Sequence, residues 1–135
     1  MSRENVEIVR GVYEAFTRRD AEIPFASYAP DIEWDITRLG HFGVATVYHG
    51  HDGVRASFRD VLAVFRDFEF QPVDLTPSGD HVLVTVHERG VGRGSGVVVD
   101  RRHYAVWTLR DGIVIRMWAC LDRGEALRAA GLTSV

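Results

Sequence analysis

Lysine is missing from this chain of 135 residues, and all sixteen of its basic residues are arginine. A chain-wide bias of that kind is the mark of a GC-rich genome. It singles out no site, although guanidinium forks suit carboxylates and phosphates. Cysteine is reduced to Cys120. That excludes an intramolecular disulfide, a four-cysteine zinc site and a CxxC redox pair. Long apolar runs are absent as well, so no segment reaches the length of a membrane span. The opening MSRENVEIVRGVYEAF is charged and amphipathic, unlike a secretory signal, and the expectation is a cytoplasmic protein. Excess charge of one sign is also lacking. A net charge of −3 gives no reason to expect nucleic acid or an anionic membrane as partner.

What is present is ordinary for a globular domain: 46% hydrophobic and 26% charged residues. The length suits one domain spanning 1–135. Such a chain buries roughly two thirds of its unfolded surface, enough for a core without a structural metal.

Residues 3–19 carry Val6, Val9, Val12, Tyr13 and Phe16 at helical spacing, with Ser2 as a cap. A short helical piece is predicted from Ile23 to Tyr28, ended by Pro30-Asp31. Ile32, Trp34 and Ile36 then alternate with polar residues as on a strand. Thr37 to Gly50 reads as a long connection. Asp52-Gly53 opens a second helix, with Val54, Phe58, Val61, Leu62 and Phe65 on one stripe. Strands are predicted over 68–75, 81–91, 97–110 and 113–121, with turns at Pro77-Ser78-Gly79-Asp80 and Asp111-Gly112. Gly90, Gly92, Gly94 and Gly96 invite bulges in the third connection. A last helical segment runs from Arg123 to Ala130 and ends at Gly131. Helices followed by an antiparallel meander make an α+β domain.

These elements carry a resemblance. Val12-Tyr13-Glu14-Ala15-Phe16 is followed by Asp20, then by Tyr28-Ala29-Pro30-Asp31-Ile32-Glu33-Trp34 and Tyr48-His49-Gly50-His51-Asp52-Gly53-Val54. Arg93-Gly94-Ser95-Gly96, Val106-Trp107-Thr108-Leu109-Arg110-Asp111-Gly112 and Asp122 leading to Glu125-Ala126-Leu127 complete it. In order and spacing, from about residue 5 to residue 132, the chain resembles SnoaL-like proteins of the nuclear transport factor 2-like superfamily. The resemblance implies a cone: a curved antiparallel sheet wrapped by N-terminal helices, with a pocket at one end. It also implies a homodimer through the outer sheet face. Relatives include ketosteroid isomerases, limonene epoxide hydrolases, polyketide cyclases, dehydratases and binding modules, so the fold alone does not name a function.

On the strand 97–110, His103, Ala105, Trp107 and Leu109 share one face, and Arg102, Tyr104, Val106 and Thr108 the other. Large side chains stand on both, so periodicity leaves the choice open. The resemblance turns the His103 set inward. It matches it with Thr85, His87, Arg89 and Val91 on the preceding strand and with Met117, Ala119 and Leu121 on the last. Trp34 and Ile36 would close the floor with Tyr13 and Phe16. The expected cavity is apolar with a few polar groups, His87, Arg89 and His103, joined by Tyr13, His41 and Asp35. The competing expectation is a packed core whose histidines are hydrogen-bonded.

Against the relatives' chemistries the match is uneven. The tyrosine, acid and base of a steroid isomerase fall near Val12, Ala105 and Ile36, with Tyr13 and Asp35 one residue away. A one-residue slip turns a strand side chain to the other face. For an epoxide hydrolase, Arg89 fits the arginine but Val91 stands where the aspartate belongs. A cyclase, isomerase or dehydratase without cofactor needs only one proton carrier. His87 or His103 suits that role, with Arg89 holding negative charge on an oxygen. The ligand pocket would be Tyr13, Phe16, Trp34, His41, Trp107 and Met117, taking a small apolar or cyclic molecule. The alternatives are a non-catalytic binding or dimerisation module and an epoxide hydrolase-like enzyme.

Other motifs carry less. His49-Gly50-His51-Asp52 has the residue types of a metal clip, but it also reads as a turn and helix start, and no metal is expected. Arg93-Gly94-Ser95-Gly96 lacks the strand–loop–helix setting of a phosphate loop. Trp118 is expected on the outer sheet face, at the dimer interface.

Overall fold

The computed structural model describes residues 2–17, 25–40 and 47–132. Helix α1 (Ser2–Thr17) is followed by a 3-10 turn (Phe25–Ser27), strand β1 (Tyr28–Asp35), a second 3-10 turn (Thr37–Leu39) and strand β2 (Val47–His49). Then come α2 (Gly50–Val64), β3 (Phe65–Ser78), β4 (His81–Gly92), β5 (Val98–Arg110), β6 (Ile113–Cys120) and α3 (Arg123–Ala129). The strands form one sheet in the order β2-β1-β6-β5-β4-β3. Neighbours are antiparallel except β1 and β6, which run parallel. The sheet is thus antiparallel but for that one parallel pair. None of the described helices is long and apolar enough to cross a membrane.

The hairpins form where turn chemistry asks for them. Asp111 and Gly112 both have positive φ (52° and 77°), the geometry of a two-residue hairpin turn. The glycine run behaves differently from the expectation. Gly92 N–H donates to the Val97 carbonyl at 2.8 Å and Gly96 N–H to the Gly92 carbonyl at 2.9 Å, closing a tight turn. The irregular pairings lie elsewhere, at Arg66/Glu69 and Pro72/Asp74 in β3 and at Thr108/Leu109 in β5. Bulges there bend the sheet.

The helical piece expected at Ile23–Tyr28 is described only from Phe25, and β1 already begins at Tyr28. Pro30 sits inside that strand rather than ending a helix. It is tolerated because β1 pairs with β2 only over Glu33–Asp35, beyond the register shift that follows Tyr28.

One sheet face packs against α1 and α2 in the main core, which holds Val9, Val12 and Tyr13 from α1, Val54 and Val61 from α2, and Val82, Val84, Val86, Trp107 and Leu109 from the sheet. The other face is covered at one end by α3. There Leu83, Val106, Trp118 and Cys120 pack against Ala126, Leu127 and Ala130. Asp122 caps α3 by accepting the Gly124 N–H at 2.9 Å. Trp118 does lie on the outer face, but it is buried within this chain, with the Arg38 guanidinium 5.3 Å above its ring.

Candidate functional site

Between the helices and the inner sheet face lies a cavity of about 40 Å³, or about 470 Å³ of atom-free space with its mouth included. Tyr13 and Phe16 reach it from α1, Ser57, Phe58 and Val61 from α2, and Trp34 from β1. Ile36 and Leu39 close one wall at the 3-10 turn, and Phe70, Ala105, Trp107, Met117 and Ala119 come from the sheet. His103 completes the lining. The structure thus brings together Tyr13, Phe16, Trp34, His103, Trp107 and Met117 of the residues expected at the pocket. His41 lies outside the described residues.

His87 and Arg89 are not in the cavity. β4 pairs with β5 so that Val86 faces His103 and Glu88 faces Arg101. Residues directly opposite share a face, so Val82, Val84, Val86 and Glu88 turn inward and Thr85, His87 and Arg89 turn outward. The expected inward set of β4 was one residue out of step. On the outer face His87 Nε2 stands 2.5 Å from Asp100 Oδ1, and Arg89 Nε 3.5 Å from Asp100 Oδ2. The Asp100 carboxyl is held below the ordinary range, first by the His87 hydrogen bond. This placement removes the arginine that both the epoxide hydrolase and the oxygen-stabilising roles required. The signal was available in the sequence: Val82, Val84 and Val86 form an unbroken apolar face, and Glu88 continues it.

That alternation puts a carboxylate inside. Glu88 is fully buried, 0% exposed. Its Oε2 accepts the Arg101 Nε–H at 2.6 Å, and Arg101 Nη2 donates on to the Leu39 carbonyl at 2.8 Å. Its Oε1 stands 3.2 Å from His103 Nδ1. The distance is within reach of a hydrogen bond, but Nδ1 has no aligned partner among the described residues. The His103 ring, 4% exposed, meets Phe70 edge to face at 5.6 Å.

The aromatic floor is ordered by one hydrogen bond, from Trp107 Nε1–H to the Tyr13 hydroxyl at 3.1 Å. Trp34 stands edge-on to Trp107 at 5.5 Å. Burial pushes the Tyr13 phenol well above its ordinary pKa, against the smaller opposite pull of the Trp107 N–H. Its proton therefore stays on throughout the neutral range. Nearby, the buried Tyr28 hydroxyl has no hydrogen-bond partner among the described residues. Burial, and secondarily Tyr13, raises its pKa too.

No carboxylate is among the described residues lining the cavity. Ile36 and Ala105 present apolar side chains where a steroid isomerase would need its base and acid. Asp35 is buried but committed elsewhere: it accepts the Thr37 N–H at 3.0 Å, the Thr37 hydroxyl at 2.6 Å and Arg38 Nη1 at 3.3 Å. Burial pulls its pKa up, but the Thr37 bonds and the Arg38 charge outweigh that and hold it below the ordinary range. The His49–Asp52 stretch forms no clip either. His51 Nε2 lies 3.1 Å from the Tyr28 carbonyl and its ring stacks on Phe25 at 4.8 Å, while Asp52 holds Arg55 at 2.8 Å. Among the described residues, no group of three or more His, Cys, Asp or Glu side chains stands ready for a metal.

Residues 9–117 match the family model of the SnoaL-like domain. The chain belongs to that family. SnoaL-like architecture also describes its structural likenesses. A nuclear transport factor 2-like protein of unknown function from Burkholderia pseudomallei K96243 is 28% identical, with a TM-score of 0.77 over 98% of each chain. TerC, crystallised with polyporic acid, is 25% identical, with a TM-score of 0.77 over 95% of this chain and 98% of that one. A SnoaL-like polyketide cyclase from Jannaschia sp. CCS1 shares the fold at 22% identity, with a TM-score of 0.75 over 96% of this chain and 92% of that one. No curated protein matches the chain. The α+β cone of the nuclear transport factor 2-like and ketosteroid isomerase-like proteins is thus the fold of this SnoaL-like protein.

Proposed function

We propose that this SnoaL-like protein is a small-molecule enzyme of cyclase, isomerase or dehydratase type, in which His103 carries the proton. One observation carries the reading: His103 is the only imidazole among the described cavity-lining residues, and no carboxylate, thiol or basic chain stands beside it in that lining. Around it the wall is almost entirely apolar, the usual design of a small-molecule site. A free imidazole nitrogen there can take a proton from carbon next to a carbonyl and return it to another position of the same molecule. Such a reaction is redox-neutral, with the proton as the only group passed between protein and substrate. The Ser57 hydroxyl, 2% exposed on the same wall, makes no side-chain hydrogen bond among the described residues and is available to the carbonyl oxygen. The substrate class is a small, largely apolar cyclic molecule, and TerC, which shares the fold, was crystallised with the cyclic compound polyporic acid.

The second reading is a binding module. The outward turn of Arg89 favours it, because no Arg is then among the described lining residues to hold developing negative charge. We also propose the homodimer that the resemblance implies, through the outer face of β3, β4 and β5. Sedimentation velocity tests it, and a monomer at every concentration would refute it.

The deciding experiment presents polyporic acid and a panel of small cyclic ketones to the whole chain, following thermal stability for binding and product formation for turnover. A ligand at a hundred times its Kd adds about 2.7 kcal/mol of stability. Turnover that falls about 10²–10⁴-fold in His103→Ala while binding persists supports the enzyme. Binding without turnover leaves the binding module.

A further inference from the structure

The cavity wall is backed by a carboxylate that stability alone does not require. Burying an ion pair gains little over an apolar pair of the same volume. Glu88, at 0% exposure, is nonetheless held with one oxygen on Arg101 at 2.6 Å and the other 3.2 Å from His103 Nδ1. We propose that Glu88 is a positioning residue that keeps the His103 proton on Nδ1, so that Nε2 is the bare nitrogen turned to a ligand. Its consequence for turnover rests on the reading of His103 given above; the tautomer itself does not.

A neutral imidazole carries one N–H and one lone pair. With the lone pair on Nδ1, it would face a carboxylate oxygen at 3.2 Å in a dry interior, where like partial charges repel strongly. With N–H on Nδ1, the same contact is attractive and charge-assisted. Arg101 balances the carboxylate charge, and its second bond, to the Leu39 carbonyl, ties it to the 3-10 turn that closes the cavity. The present misalignment of Nδ1–H is of the kind that tightens when a substrate is engaged.

Nitrogen NMR of the whole chain with labelled histidine reads the tautomer without any substrate. The spectrum is recorded at pH 8, with the His103 signals assigned through His103→Gln. A charge-assisted bond favours one tautomer by about tenfold or more, so the wild type should show Nδ1–H almost alone. Glu88→Leu combined with Arg101→Leu replaces the ion pair by apolar side chains and should shift His103 towards Nε2–H, the form free histidine prefers. Glu88→Gln, with a weaker acceptor, should shift it partway. A wild-type His103 protonated on Nε2, or an unchanged Nδ1–H tautomer in the folded double variant, overturns the proposal. If the double variant does not fold, the wild-type and Glu88→Gln spectra decide. Nδ1–H in a protein that turns over nothing would sink the enzymatic reading and leave this one standing.

Discussion

Glu88 and His103 occupy diagonal positions on β4 and β5, and strand pairing brings Oε1 and Nδ1 to 3.2 Å. Val86, opposite His103, and Arg101, opposite Glu88, complete the square. The arrangement separates two histidines that look alike in sequence. His103 sits against a buried carboxylate at the cavity wall, whereas His87 sits against an exposed one on the far side of the sheet.

The separation predicts opposite outcomes for variants on the two faces. His87→Ala and Arg89→Ala should leave any ligand binding and any turnover within about twofold of wild type, since surface changes away from a site cost little. His103→Ala should lower turnover by about 10²–10⁴-fold. Steady-state kinetics on the three variants checks this, and a loss in His87→Ala would return the proton carrier to the outer face.

Removing Arg101 should be costly. Arg101→Ala leaves the Glu88 charge buried without its strongest partner, a change worth about 3–5 kcal/mol. The lower end is expected, because the Arg101 side chain is 30% exposed and already shares its charge with solvent. Urea unfolding measures it. A loss under about 1 kcal/mol would mean that water reaches Glu88.

The Tyr13–Trp107 bond predicts a coupled pair. Tyr13→Phe strips the buried Trp107 N–H of its acceptor at 3.1 Å and should cost about 1–3 kcal/mol. Adding Trp107→Phe should cost less than the sum of the single changes, by about 0.5 kcal/mol or more. Full additivity in a double-mutant cycle would show that the bond contributes nothing.

Asp35 sets an acid limit. Its folded pKa lies below the ordinary carboxylate value, so its contribution is complete above about pH 4, the unfolded value. The contribution is lost as pH falls through the lower folded value. Asp35→Asn should therefore lower stability at neutral pH by about 1–2 kcal/mol and flatten the acid limb. Thermal melts of both proteins from pH 7 to pH 2 would show the two curves converging. Parallel curves would place the acid sensitivity elsewhere.

Much of the fold and half of the site are legible along the chain, because their causes are local. Asp111-Gly112 and Gly79-Asp80 make turns by their own backbone preferences, and the strands between them show alternation of side chains two apart. The apolar stripe of α1 brings Tyr13 and Phe16 to the cavity. Trp107 and His103 share a face through period two alone. The Val82–Val84–Val86 face was equally local, and reading it would have found Glu88.

What the amino-acid order determined by itself was therefore the elements, their turns and the side chains that share each face. The tertiary structure decided which face met which. It joined β1 to β6 in parallel, folded α3 over Trp118, and set β4 against β5 in the register that puts Glu88 beside His103. The reason is physical. Turn and face preferences come from neighbours a few residues apart, whereas register and docking depend on contacts between distant segments, such as Tyr13 with Trp107, whose energies appear only when the chain closes on itself.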